Sequence, residues 1–297
     1  QAGLQMQTSD NNTGVGYASL GACTSGDNNT AFGAHAGDAI TTGSYNTVVG
    51  QGSLTVGTTG ASNTAIGRGS MHVTTTGGEN VAVGRDALYS NTTASYNVAV
   101  GKDALYYNTT GSPNIAVGTQ AMANNTTGIN GVAMGHQALY ENTTGNNNTG
   151  IGIRALRSNT TATDNTGLGF EALYTNTTGS GNTAVGKSAL FANTTGASNV
   201  AVGNQALDAN TTGGANVGVG INALSANTEG DLNTAVGRDA MIVNTTGEYN
   251  VAVGAYSLDA NTTASFNTAI GYGSLGVNST GHSLTAIGSG ALGSNTT

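Results

Sequence analysis

The chain has 297 residues, a formal net charge of −8, only 7% charged residues, 48 glycines and one proline. Its seven basic residues (Arg68, Arg85, Lys102, Arg154, Arg157, Lys187, Arg238) are scattered, which excludes the basic stripe that nucleic-acid binding needs to neutralise phosphates. A single cysteine, Cys23, excludes an internal disulfide framework and a cysteine-based metal cluster, and no apolar run is long enough to insert in a bilayer as a helix.

Residues 1–11 read as a lead-in, a partial and degenerate repeat. From Asn12 the chain becomes strictly periodic. A glycine preceded by an apolar residue falls at 16, 33, 50, 67, 84, 101 and onward to 288, always at an interval of 17. Residues 12–297 therefore comprise seventeen tandem 17-residue repeats with the consensus N-[TV]-A-V-G-x-x-A-L-x-x-N-T-T-G-x-x, the last one incomplete. No signal-peptide pattern opens the sequence and no atypical unit closes it, so an exporting segment and a cap are expected elsewhere.

Each unit begins with an Asn followed by a three-residue alternation of Thr, Val or Ile, then a small residue, then an apolar one, as in Val81-Ala82-Val83. This is the period-2 mark of a short strand with one buried face. The marker glycine follows, and after two variable positions comes Ala or Ser, then Leu or Met in every unit except at Gly37. Asn-Thr-Thr-Gly closes the unit, as at Asn108 to Gly111. This closing glycine is replaced only by Ala94, Ala162 and Ala264, which points to close packing rather than a positive φ. The closing Asn is absent from the first four coils (Cys23, Ile40, Gly57, Thr74), where a different turn or neighbour is expected.

A helix does not survive two fixed glycines per unit, each costing about 1 kcal/mol relative to Ala. The pattern predicts an all-β fold, a parallel β-solenoid in which each unit is one coil stacked at about 4.8 Å on the next. Seventeen coils would form a rod on the order of 80 Å long. Val/Ile and Leu ladders are expected to fill its interior, with two short strands per coil and Ala or Gly where the walls approach. The opening Asn, present in fifteen of seventeen units, is expected to hydrogen-bond to the next coil. Six variable columns are expected to face outward. They hold every tyrosine and every charged residue except Glu229.

The unit N-T-A-V-G-x-x-A-L with its turn glycine resembles the head repeats of trimeric autotransporter adhesins. It resembles still more the Asn-Thr-Thr-Gly-rich repeats of bacteriophage tail fibres of cyanobacterial and marine hosts. The resemblance covers residues 12–297. It implies a left-handed β-roll, an intertwined or side-by-side homotrimeric fibre, and an extracellular place on a virion or a bacterial surface. The adhesin head unit is shorter than this one, so the turn geometry is expected to differ.

No catalytic, cofactor or metal site is expected. His35, His72, His136 and His282 occupy four different columns and do not converge as metal ligands must. Gly150-Ile151-Gly152 and Gly167-Leu168-Gly169 are ordinary repeat positions that lack the third glycine of a nucleotide loop. Asn-x-Thr sequons at Asn91, Asn108, Asn125, Asn142 and Asn159 read as a turn ladder rather than glycan acceptors. One column carries Tyr89, Tyr106, Tyr140, Tyr174 and Phe191, interrupted by Ala123 and Arg157. It is the candidate strip for a host-surface receptor or glycan, since exposed rings stack on sugars. The leading function is a non-enzymatic fibre segment that spaces or mediates attachment, with no nucleic-acid partner and no membrane insertion. The alternatives are an ice-binding solenoid, using the column that is Thr in sixteen units and Ser279 in the other, and a self-assembling extracellular filament or surface-layer subunit.

Overall fold

The computed structural model describes residues 8–296. The chain divides into two units, Gln1–Asn147 and Asn148–Thr297, and both are built in the same way. The first holds strands β1 (Thr13–Val15) to β8 (Gly131–Met134), the second β9 (Thr149–Ile151) to β17 (Thr285–Ile287). The fold is an all-β parallel β-solenoid, with one strand per 17-residue coil and no helix among the described residues. Strand neighbours pair in parallel with a register of 17, as Thr13 with Thr30 and Val15 with Phe32 in the first unit and Val200 with Val217 in the second. Two strands per coil were expected. The rest of each coil consists of turns, because three of its residues are held in the left-handed region.

These three positions recur in every coil: the second residue after the marker glycine, the Leu/Met position, and the residue before the opening Asn. In one coil they are Asp86 (φ 57°), Leu88 (φ 54°) and Tyr96 (φ 63°). Pro113, which follows a cis peptide bond, is the one exception among the described residues. The left-handed region is costly for L-residues and most hostile to β-branched ones. Accordingly, no Val, Ile or Thr occupies any of these three columns, although they occur in neighbouring columns (Ile153, Val243, Ile129). The marker glycine meets a separate constraint. Gly84 has φ +136°, and a Cβ there would lie 2.5 Å from the carbonyl oxygen of Gly101. At the closing glycine the constraint is packing alone, as expected: Gly128 has no left-handed φ, and its Cβ would meet the Gly145 carbonyl oxygen at 2.6 Å.

The core reverses the expected facing of the strand. The middle residue of the alternation is inside: Ala65, Ala82, Ala99 and Ala184 are 0% exposed. The columns on either side of it face outward, Thr, Val or Ile before it and an apolar residue after it, and Phe32 and Ile270 are 58% and 39% exposed. Leu88, Leu105, Leu156 and Leu173 are completely buried. Leu enters from its left-handed corner and fills the section of the coil, leaving room for only a methyl group from the strand opposite.

Breaks in the interior columns are filled by neighbours. Gly37 replaces Leu, and Ile40 takes up the space: its Cδ1 lies 2.9 Å from where a Gly37 Cβ would stand. Gly131 replaces the opening Asn, and the Met122 side chain occupies that place. The first four coils keep the same turn as the rest, with Cys23, Ile40 and Thr74 buried where later coils carry Asn.

Both Asn columns are buried and bonded. The opening Asn29 donates from Nδ2 to the Gly43 carbonyl (2.8 Å), and its Oδ1 accepts from the backbone N–H of Asn46 (2.9 Å). One amide thus carries the coil-to-coil ladder around a corner where the backbone cannot. The closing Asn forms a side-chain ladder, with Asn125 Nδ2 donating to Asn108 Oδ1 (2.8 Å) and to the Gly128 carbonyl (3.0 Å). Asn227 repeats the arrangement on Asn210 and Gly230 in the second unit.

Two substitutions at Leu105 separate packing from backbone conformation. Leu105→Met should cost less than about 1.5 kcal/mol, as volume-conserving swaps do. Leu105→Ile adds the strain of a β-branched residue at φ 51° and should cost about 2 kcal/mol more. Thermal melts of the two variants followed by circular dichroism check this, and equal costs would refute the conformational argument.

Candidate functional site

The candidate strip forms a stacked column in each unit. In the first, the rings of Tyr89 and Tyr106 stack with centroids 5.0 Å apart and planes 4° apart, and His72 stacks beneath Tyr89 at 4.9 Å. Tyr107 meets Tyr106 edge-on at 4.6 Å. Ala123 interrupts the column before Tyr140, and Tyr106, Tyr107, Ala123 and Tyr140 line one cleft. In the second unit, Tyr174 and Phe191 stack at 5.2 Å and 4°, with the Arg157 guanidinium 5.8 Å from the Tyr174 ring. The spacing follows from the coil rise, which sets each ring about 4.8 Å above the last. All five residues of the strip are half-buried, and stacking directs ring faces at one another. Where its rings stack, the column therefore presents ring edges to solvent.

A more exposed aromatic pair went unread in the sequence. Tyr249 and Phe266 stack at 5.0 Å, are 47% and 58% exposed, and sit in the left-handed column before the opening Asn. Tyr45 and Tyr96 share that column at 65% and 59% exposure. The signal available in the sequence was the recurrence of aromatics in a column that rejects β-branched residues.

The histidines serve local contacts. His35 Nδ1 lies 2.9 Å from Asp38 Oδ2, His72 Nδ1 lies 2.7 Å from Thr55 Oγ1, and the Ser265 N–H donates to His282 Nδ1 at 2.9 Å. His136 is exposed. Among the described residues, no group of three or more His, Cys, Asp or Glu is placed to hold a metal ion. Cys23 is fully buried, its thiol donates to the Gly26 carbonyl (3.4 Å), and burial pushes its pKa up, away from the thiolate that reactivity needs. The sequon amides at Asn91, Asn108, Asn125, Asn142 and Asn159 are buried.

The Thr column proposed for ice binding is engaged within the protein. Thr92 Oγ1 donates to the Thr109 carbonyl (3.1 Å) and Thr211 Oγ1 to the Thr228 carbonyl (3.0 Å). The outward column is the second Thr of the turn, Thr93, Thr110 and their equivalents.

The larger surface feature is the outward sheet face. In each unit the residue before every marker glycine is apolar and at least partly exposed, from Val15 (48%) through Met134 (42%) in the first, and from Ile151 to Ile287 (70%) in the second. These features define a parallel β-solenoid whose strand carries apolar side chains outward along its whole sheet. No protein-family model matches the chain, and no curated protein matches it.

Charge within the solenoid has a measurable consequence. Burial raises the Asp208 and Asp259 carboxyls above the ordinary carboxylate range, so folding favours their protonated form. Stability from this source is fully present below about pH 4 and is lost as pH rises through the folded-state pKa. Asp208→Asn and Asp259→Asn should each raise the melting temperature at pH 7 and leave it unchanged at pH 3. Equal shifts at both pH values would assign the effect to packing instead.

Proposed function

We propose that this chain is a non-enzymatic segment of an extracellular homotrimeric fibre, a phage tail fibre or a bacterial surface adhesin, that spaces or mediates attachment to a cell surface. The observation that carries the reading is the outward Val/Ile face. Soluble monomers seldom leave a contiguous apolar sheet uncovered. A partner that contacts every coil must share the rise of about 4.8 Å per coil, and another copy of the same solenoid has it by construction. The occupant of the face is thus a second and third copy of this chain, the number three following from the repeat resemblance. The variable columns, with the strip of Tyr89, Tyr106, Tyr140, Tyr174 and Phe191, then point away from the shared axis toward a receptor or glycan. Repetition along the fibre would turn weak single contacts into avidity.

Light scattering on the purified chain should give three times the 29.1 kDa of one chain. Val100→Lys combined with Val202→Lys, one in each unit, should reduce the mass to a monomer while the β-sheet circular dichroism persists. A monomeric wild type, or a trimer indifferent to the two lysines, would sink the proposal. A mass that grows without limit would favour the filament alternative.

A further inference from the structure

In the first unit the run of rings from His72 to Tyr140 is broken once, at Ala123, and a cleft is formed there. Tyr89 and Tyr106 hold their rings parallel, 5.0 Å apart. Ala123 places only a methyl group in the next coil, and Tyr140 follows one coil beyond. Tyr106, Ala123 and Tyr140 line a cleft of about 310 Å³, with Arg85, Asp86, Asp103, Gln120 and Asn124 around it. Two coil rises separate the two tyrosine positions, about 9.6 Å, and the cleft opens beside the buried Ala123 between them. The volume lies at the lower end of small-molecule sites, about 300–1,000 Å³.

We infer that this cleft is a binding site for a single neutral hexopyranose unit, held against the Tyr106 and Tyr140 side chains that line it. The inference rests on the reading of the aromatic column as a glycan-contact surface, and not on the trimer. The polar surroundings favour hydroxyls. Asp86 is paired with Arg85 (3.2 Å) and Asp103 with Lys102 (3.4 Å), so both carboxylates are charge-compensated acceptors, while Asn124 supplies an amide with both donor and acceptor. Burial, followed by the nearby tyrosines and carboxylates, raises the Tyr106 pKa, which keeps its hydroxyl a donor. Tyr107, edge-on to Tyr106, closes one side of the stack.

The test is saturation-transfer NMR on the full chain with the methyl glycosides of glucose, galactose and mannose, and with indole as a flat control. At least one glycoside should receive saturation, with a dissociation constant on the order of 1 mM. Ala123→Tyr restores a residue that the same column already carries at 89, 106 and 140, and should weaken binding about tenfold or more, in line with the loss of stacking. Tyr106→Ser removes one wall and should give the same loss. Transfer to none of the three glycosides, transfer to indole alone, or binding that survives either variant with unchanged circular dichroism would overturn the site. The mass of each sample, read separately, shows whether the trimer has failed instead.

Discussion

Everything in this fold depends on the hydrogen-bonded register that sets each residue over its counterpart seventeen positions on. Three strand residues per coil are too few to hold it. The opening Asn extends it, since one side chain accepts from and donates to the backbone of the next coil, as Asn29 does with Asn46 and Gly43. Turn backbone extends it again: the Leu88 N–H donates to the Ala104 carbonyl (2.9 Å) and the Ser90 N–H to the Tyr106 carbonyl (3.0 Å). Buried amides in this setting are worth more as satisfied pairs than their modest net contribution implies, because one broken member strands its partner at a cost of about 1–3 kcal/mol. An insertion of one residue would misalign every ladder at once.

Register of this kind forces each column to be compatible with itself. Amides, methyls and aromatic rings tolerate stacking on their own kind, and ionised groups do not. The low charge content follows from that. Asp86 and Asp103, one above the other, are each compensated from the adjacent column by Arg85 and Lys102. Where the same column instead alternates in sign, Arg154 pairs directly with Glu171 (3.1 Å).

The repeat, the strand and the two Asn ladders were legible in the sequence because their signals are positional and invariant. The direction in which the strand faces was not. Period-2 alternation tells which residues share a face, and the larger apolar residues are ordinarily assumed to be inside. Here Leu88 and its equivalents already fill the section, so Ala82 turns inward and Val81 and Val83 turn out. The information that would have corrected the reading was present as an absence. The Leu column admits Leu, Met and Gly37 but never Val or Ile, which marks a left-handed corner and with it a large side chain delivered to the interior from the turn. With the corner recognised, a second strand has no place in the coil.

A scaffold of identical coils offers the same surface at every level, so specificity has to come from interruptions of its columns. The interior interruptions are repaired: Ile40 fills the space that Gly37 opens, and Met122 fills the space at Gly131. Ala123 differs from both. It breaks an outward column, it is itself buried between the flanking positions of Tyr106 and Tyr140, and an open cleft lies beside it. An open cleft with tyrosines and compensated carboxylates around it is what a contact for an external sugar ring requires.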